Sequence, residues 1–221
     1  MYLENINSPA DVKKLSVGEL TSLCAEMREA LIQKLSVHGG HVGPNLGMVE
    51  ATVAMHYVMN SPVDKFVFDV SHQSYAHKML TGRKEAFTNP DCYDEVSGYT
   101  EPSESVHDHF VIGHTSTSVS LASGLAKARD LRGQRFNVVA VIGDGAFTGG
   151  MVYEGMNNIG GLDNLLVILN DNKMSISKNV GALSRYLSHL RTTSRYYDAK
   201  ENVRSFLDGV PVIGPPLKSA I

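Results

Sequence analysis

The chain has 221 residues, a formal net charge of −3 and 43% hydrophobic residues, which is enough for one α/β domain with its own core. That charge, without any Lys/Arg run, excludes nucleic acid and an anionic membrane surface as main partners. No apolar stretch approaches a membrane span and Met1 to Ala10 lacks the basic and apolar blocks of a secretory signal, so a cytoplasmic location is expected.

Ser16-Val-Gly-Glu19 has the form of a capping box, and Leu20, Leu23, Met27, Leu31 and Leu35 follow at helical spacing. This predicts a first helix that stops at His38-Gly39-Gly40. Asn45 is expected to cap a second helix carrying Leu46, Val49, Val53 and Tyr57, ended by Asn60-Ser-Pro62. Phe66 to Val70 predicts a short, central, parallel strand that delivers Ser71-His72-Gln73 to a sheet edge. From Thr81 to His109 the pattern weakens, with Gly82, Pro90, Gly98 and Pro102 as breaks. A short helix near Lys84 to Phe87 and mobility after it are expected there. Cys24 and Cys92, without a CxxC or a near neighbour, read as reduced thiols.

Order returns at Phe110-Val-Ile112, Gly113-His114-Thr115 and a helix from about Ser116 to Leu131 closed by Gly133. The small polar start of that helix, Ser116 to Ser123, suits close packing or an anionic ligand. Next comes the most informative stretch. The β-branched run Val138 to Ile142 reads as a buried parallel strand and breaks at Gly143-Asp144-Gly145; a helix runs from about Thr148 to Ile159; Gly160-Gly161 stops it; Leu165 to Leu169 forms a second strand ending at Asn170-Asp171-Asn172. This is a βαβ unit with polar groups at the carboxyl ends of its strands, where open α/β sheets bind ligands. Beyond it, residues 179–190 and 194–207 read as two surface helices. The run 210–216 is extended, and the stop at Ile221 reads as a cut in a longer protein.

A dinucleotide fingerprint fits the order of strand, glycine turn and helix, but Thr148 stands where its third glycine belongs. A carboxylate at Asp144 inside a turn holding bare pyrophosphate would repel it, so a cation is expected between them. Asp144 and the side-chain oxygen of Asn172, with a backbone carbonyl just beyond and two diphosphate oxygens, approach octahedral oxygen coordination of Mg²⁺. Asp163, Asp171 and Lys173 read as surface or turn residues.

GDGAFTGGMVYEGMNNIG followed by LVILNDNKMSIS resembles the GDG to NDN motif of thiamine-diphosphate enzymes, in the form seen in the 1-deoxy-D-xylulose-5-phosphate synthases, relatives of transketolase. GGHVGPNLGMVEATVAMHYV, DVSHQSYAHKMLTGR and IGHTSTSVSLASGLA resemble the same family in the same order. The resemblance implies a thiamine-diphosphate-binding, transketolase-like α/β fold, a mostly parallel sheet with helices on both faces. The whole of 1–221 would be its N-terminal diphosphate-binding domain. It implies His41 beside the reacting carbon of the cofactor, His72 facing the cofactor, and contacts to it from Gly113, His114 and Thr115. Mg²⁺ would be held by Asp144, Asn172 and the carbonyl of Met174, and the diphosphate by the backbone amides of Gly145 and Ala146.

The reaction implied joins pyruvate, with loss of CO₂, to D-glyceraldehyde 3-phosphate, feeding isoprenoid, thiamine and pyridoxal synthesis in a homodimer whose pyrimidine-binding and C-terminal domains lie outside this chain. Without them the piece is expected to hold cofactor but not to turn over. Two other readings stay open: the N-terminal subunit of a split transketolase-like enzyme, and a non-catalytic binding module. Ser71 departs from the family's usual glycine in DVGHQ. The segment Glu104 to His109 is richer in histidine than the family, and its HxDxH reads as a solvated, incidental cluster in a flexible loop.

Overall fold

The computed structural model describes residues 1–171 together with Ala182, Arg185, Tyr186 and His189. The chain divides into two compact units, 1–172 and 173–221, and the described helices and strands belong to the first. Asn172, Lys173 and Met174, the helix predicted over 194–207, most of the one over 179–190 and the run 210–216 lie outside the described residues.

In chain order the unit comprises α1 (Pro9–Val12), α2 (Val17–His38), α3 (Val42–Leu46), α4 (Val49–Val58), β1 (Lys65–Phe68), α5 (Tyr75–Lys78), α6 (Glu85–Thr88), α7 (Ser118–Leu131), β2 (Val138–Gly143), α8 (Gly150–Asn158) and β3 (Leu165–Asn170). The predicted capping box forms: the Glu19 carboxylate accepts the Ser16 N–H at 2.7 Å, and Ser16 Oγ accepts the Glu19 N–H. Gly39 closes α2 at φ +82°, a backbone region that a side chain strains. Asn45 does not cap α4 but is buried inside α3.

The strands are parallel in the order β1-β2-β3, so β2 is central and β1, expected at the centre, is an edge among the described strands. Residues 138–142 are fully buried because both faces of β2 are covered. Val138, Ala140 and Ile142 pack with Val119, Ala122 and Ala126 of α7 and Val152 of α8, while Val139 and Val141 pack with Met48, Met55, Phe66 and Phe68. Alternation along one strand thus serves two helical layers. The serine-rich start of α7 allows close packing: a Cβ on Gly155 of α8 would lie 3.1 Å from Ser120 Oγ. A third apolar cluster joins α2, α4, α5 and α6, and takes in Cys24, a free thiol that burial pushes up to about 11. Arg129, 2% exposed, ties the start of β2 to that of β3 by donating to the carbonyls of Phe136 (2.8 Å), Asn164 (3.1 Å) and Asp163.

The segment 81–109 departs from expectation, since its polar residues build an interior. Asp108, with its side chain fully buried, accepts from His77 Nε2 (3.1 Å), from both terminal nitrogens of Arg83 (2.7 and 3.0 Å) and from the Glu101 N–H (2.8 Å). Glu104 accepts from Lys78, from Arg83 and from the Ser97 N–H (2.6 Å). His77 Nδ1 meets His56 Nε2 at 2.9 Å, and His107 Nδ1 meets Ser61 Oγ at 2.8 Å. The HxDxH residues are therefore not a solvated cluster. A buried carboxylate needs several donors, and the chain folds back to supply them. No described group of three or more His, Cys, Asp or Glu could hold a metal ion.

Replacing Arg129 by Met keeps its stem but orphans three carbonyls, and is expected to cost about 3 kcal/mol of unfolding free energy in urea titration; a change below about 0.5 kcal/mol would show that water replaces the guanidinium. Burial, and next the neighbouring His77 for one and Lys65 for the other, pushes His107 and His109 down from 6.5 to about 4. The unfolded chain then binds more protons in this window, so the contribution is complete above about pH 6.5 and is lost as pH falls towards 4. The urea midpoint should drop across that range, and His109→Asn should flatten the drop; a pH-independent midpoint would contradict this.

Candidate active site

Parallel strands end at one edge of the sheet, and each ends here in a polar turn. After β1, the Asp69 N–H donates to Val141 O at 2.7 Å, continuing the ladder, and its carboxylate accepts the N–H groups of Ser116 (2.8 Å) and Ser118 (2.9 Å). An acid here satisfies the otherwise unpaired donors at the start of α7. Val70 and Ser71 follow at φ 60° and 71°. Left-handed backbone at a β-branched residue is strained, and such strain concentrates at functional turns. Ser71 sits in a region that glycine adopts more easily, and its hydroxyl is fully used: it donates to Ile112 O and accepts the Thr100 N–H, both at 3.0 Å.

β2 and β3 end flush. Gly143 stands opposite Asn170, and the Asp144 N–H donates to Asn170 O at 3.1 Å. The next residues, Asp144 and Asp171, consequently lie side by side with their carboxyls hydrogen-bonded. Asp144 is 7% exposed; burial and then Asp171 push its carboxyl above the usual carboxylate range, against the pull of the Gly145 N–H. Asp171, read from sequence as a turn or surface residue, belongs to this site. Gly145 adopts φ −62°, open to any residue, so its backbone does not require glycine. Ala146 O accepts Ser116 Oγ at 2.7 Å, and a Cβ on Gly149 would come within 2.1 Å of that hydroxyl, so the turn after β2 presses on the start of α7. Gly113, His114 and Thr115 lead into α7 and are exposed, with His114 Nδ1 3.0 Å from Thr115 O.

His41 and His72 meet although 31 positions separate them. Their rings lie 5.2 Å apart, edge to face, and Tyr99 and Tyr75 flank His41 at 5.5 and 6.2 Å. His41 Nδ1 is 3.2 Å from the Tyr75 hydroxyl. Burial lowers both histidines below 6.5, helped at His72 by the proximity of His41, so both are neutral at pH 7. His72 Nδ1 is buried without a hydrogen-bond partner among the described residues. A Cβ on Gly47, just past α3, would lie 4.0 Å from Asn170 Nδ2, which puts the His41 turn against the end of β3. Beside His41 opens a cavity of about 270 Å³ lined by Lys34, Tyr75, Phe87, Tyr93 and Gly98 among others.

Sequence reasoning missed Asn45, Tyr75, Gly98 and Tyr99. Asn45 and Tyr75 fall within the motifs GGHVGPN and DVSHQSY, where the histidines are the only side chains that titrate near pH 7. The donor set fits a metal diphosphate: two neighbouring carboxyls, one of them pushed up by burial and by the other, offer oxygen donors to a divalent cation, and His72 Nδ1 is buried without a partner among the described residues. The other metal donors expected, Asn172 and the Met174 carbonyl, lie outside the described residues.

The family described as 1-deoxy-D-xylulose-5-phosphate synthase matches residues 3–221. The chain is 52% identical over 220 residues to the 1-deoxy-D-xylulose-5-phosphate synthase of Caldanaerobacter subterraneus subsp. tengcongensis, covering 99% of this chain and 35% of that protein. It is 54% identical over 213 residues to that of Thermomicrobium roseum, covering 96% and 34%. The chain thus spans about a third of the length of the curated relatives it matches. Among solved structures, the Campylobacter jejuni transketolase superposes with a TM-score of 0.62 at 23% identity, over 76% of this chain and 30% of that one, which bears on the fold alone.

Proposed function

The chain belongs to the 1-deoxy-D-xylulose-5-phosphate synthase family, and on that premise we propose that it is the N-terminal, diphosphate-binding domain of an enzyme that joins pyruvate, with loss of CO₂, to D-glyceraldehyde 3-phosphate. The pyrimidine-binding and C-terminal domains complete it in a cytoplasmic homodimer. The observation that carries this reading is the pair of touching carboxyls, Asp144 and Asp171, at the flush ends of β2 and β3.

Asp144, with Asn172 and the Met174 carbonyl, would hold Mg²⁺, which would offset the charge that the neighbouring carboxyls bring together. The amides of Gly145 and Ala146 would receive the diphosphate. The Gly113-His114-Thr115 turn, exposed and placed before α7, would add contacts to the cofactor. Thiamine diphosphate, when bound, supplies the electron sink that decarboxylation requires. His41 and His72, neutral at pH 7, can each accept a proton, and the Tyr75 hydroxyl at 3.2 Å holds the Nδ1 side of His41 so that its Nε2 is left for exchange.

Titration calorimetry tests the metal assignment: the protein should bind thiamine diphosphate only with Mg²⁺, and Asp144→Asn should weaken that binding by at least ~100-fold with unchanged circular dichroism. Equal affinity in variant and wild type would refute the metal assignment, and no Mg²⁺-dependent heat in either would favour a non-catalytic binding module. In the enzyme completed with its other domains, His41→Ala should lower kcat by ~100-fold or more while cofactor affinity falls less than about 3-fold; parallel losses would reduce His41 to a packing residue.

A further inference from the structure

Asn45 is fully buried, and every hydrogen-bonding group of its side chain is engaged. Its Nδ2 donates to His41 O at 2.7 Å and to His72 O at 2.8 Å, and its Oδ1 accepts the Tyr75 N–H at 3.0 Å. These partners come from three turns: the head of α3, the strained turn after β1 and the start of α5. The amide has one workable orientation, because two carbonyls need its hydrogens and one N–H needs its oxygen. From Tyr75 the chain of contacts returns to His41, since the tyrosine hydroxyl lies 3.2 Å from Nδ1 of that imidazole. No backbone hydrogen bond between the two histidine turns is found among the described residues, and the amide spans them.

We propose that Asn45 is the positioning residue that holds His41 and His72 edge to face, so that both imidazoles address one reacting centre; this rests on the function proposed above. Asn45 itself reaches no reactant. Its side chain sets the separation of the two main chains on which the imidazoles are carried, and errors of about 1 Å in such placement can cost ~100-fold in rate.

Asn45→Asp is the sharpest probe, because it keeps size and the acceptor for the Tyr75 N–H while turning both donors into acceptors that face carbonyls. Proton NMR of the imidazoles in this protein should show ring-to-ring contact between His41 and His72 in the wild type and its loss in Asn45→Asp at pH 8. At pH 5.5 a protonated carboxyl can donate to one carbonyl, and part of the contact should return. In the completed enzyme kcat should fall about 100-fold at pH 8 and less at pH 6, with KM for pyruvate within about 3-fold. Where Asn45→Asp does not fold, Asn45→Ser, whose hydroxyl reaches one carbonyl at most and does not titrate, is read by the ring contact and by kcat at pH 8, the comparison between pH values belonging to Asn45→Asp alone. A ring contact that survives substitution overturns the assignment whatever the turnover, as does a rate loss equal at both pH values. A wild-type enzyme without synthase turnover sinks the proposed reaction instead, and the NMR arm then still decides whether Asn45 sets the ring contact.

Discussion

The flush pairing of β2 with β3 is the constraint on which the site depends. Because Gly143 faces Asn170 across the ladder, the first residue beyond each strand is an aspartate, and two carboxyls are forced together where the chain leaves the sheet. A shift of one residue would move every side chain of β3 to the opposite face, exchanging Leu165, Val167 and Leu169 of the α7–α8 cluster for Leu166, Ile168 and Asn170, and would part the two acids. The ladder of backbone pairs sets the alignment of the acids, and hydrophobic burial on both faces of β2 holds the sheet that carries it.

A second frame, made of polar contacts, holds the histidine side of the site. Asp69 anchors the start of α7, Ser116 joins α7 to the turn after β2, and Ser71 joins the turn after β1 to Thr100 and Ile112. Behind them, Asp108 and Glu104 gather donors from His77, Arg83 and Lys78 and from the backbone at Ser97 and Glu101. With little regular structure, the segment 97–112 is kept in place by buried ionic and hydrogen-bonded groups. Such an interior is sensitive to loss of any one member, since each removal leaves a buried charge uncompensated.

The serine at position 71 illustrates how a mild departure from a family pattern is absorbed. Its backbone lies at φ 71°, where glycine is at ease, yet both hydrogen-bonding roles of the hydroxyl are filled by the neighbouring loop. What the turn loses in conformational freedom is offset by a tether to the segment that carries Gly98 and Tyr99 up to His41.

Periodicity and punctuation in the sequence determined α2 with its capping box, the β2-α8-β3 unit, the parallel α/β class and the nomination of Asp144, His41 and His72, because these depend on local spacing and on the chemistry of single residues. Only the tertiary structure decided that β1 lies at the edge of the described sheet, that Asp171 neighbours Asp144, that Asn45 is a buried link and no helix cap, and that Asp108 is interior with His107 and His109 half-buried beside it. Each of those turns on which distant segments meet. The burial of a polar side chain is set by partners supplied from elsewhere in the chain, Asn45 by the turns of His41 and His72 and Asp108 by His77 and Arg83, and no local pattern of residues encodes that meeting.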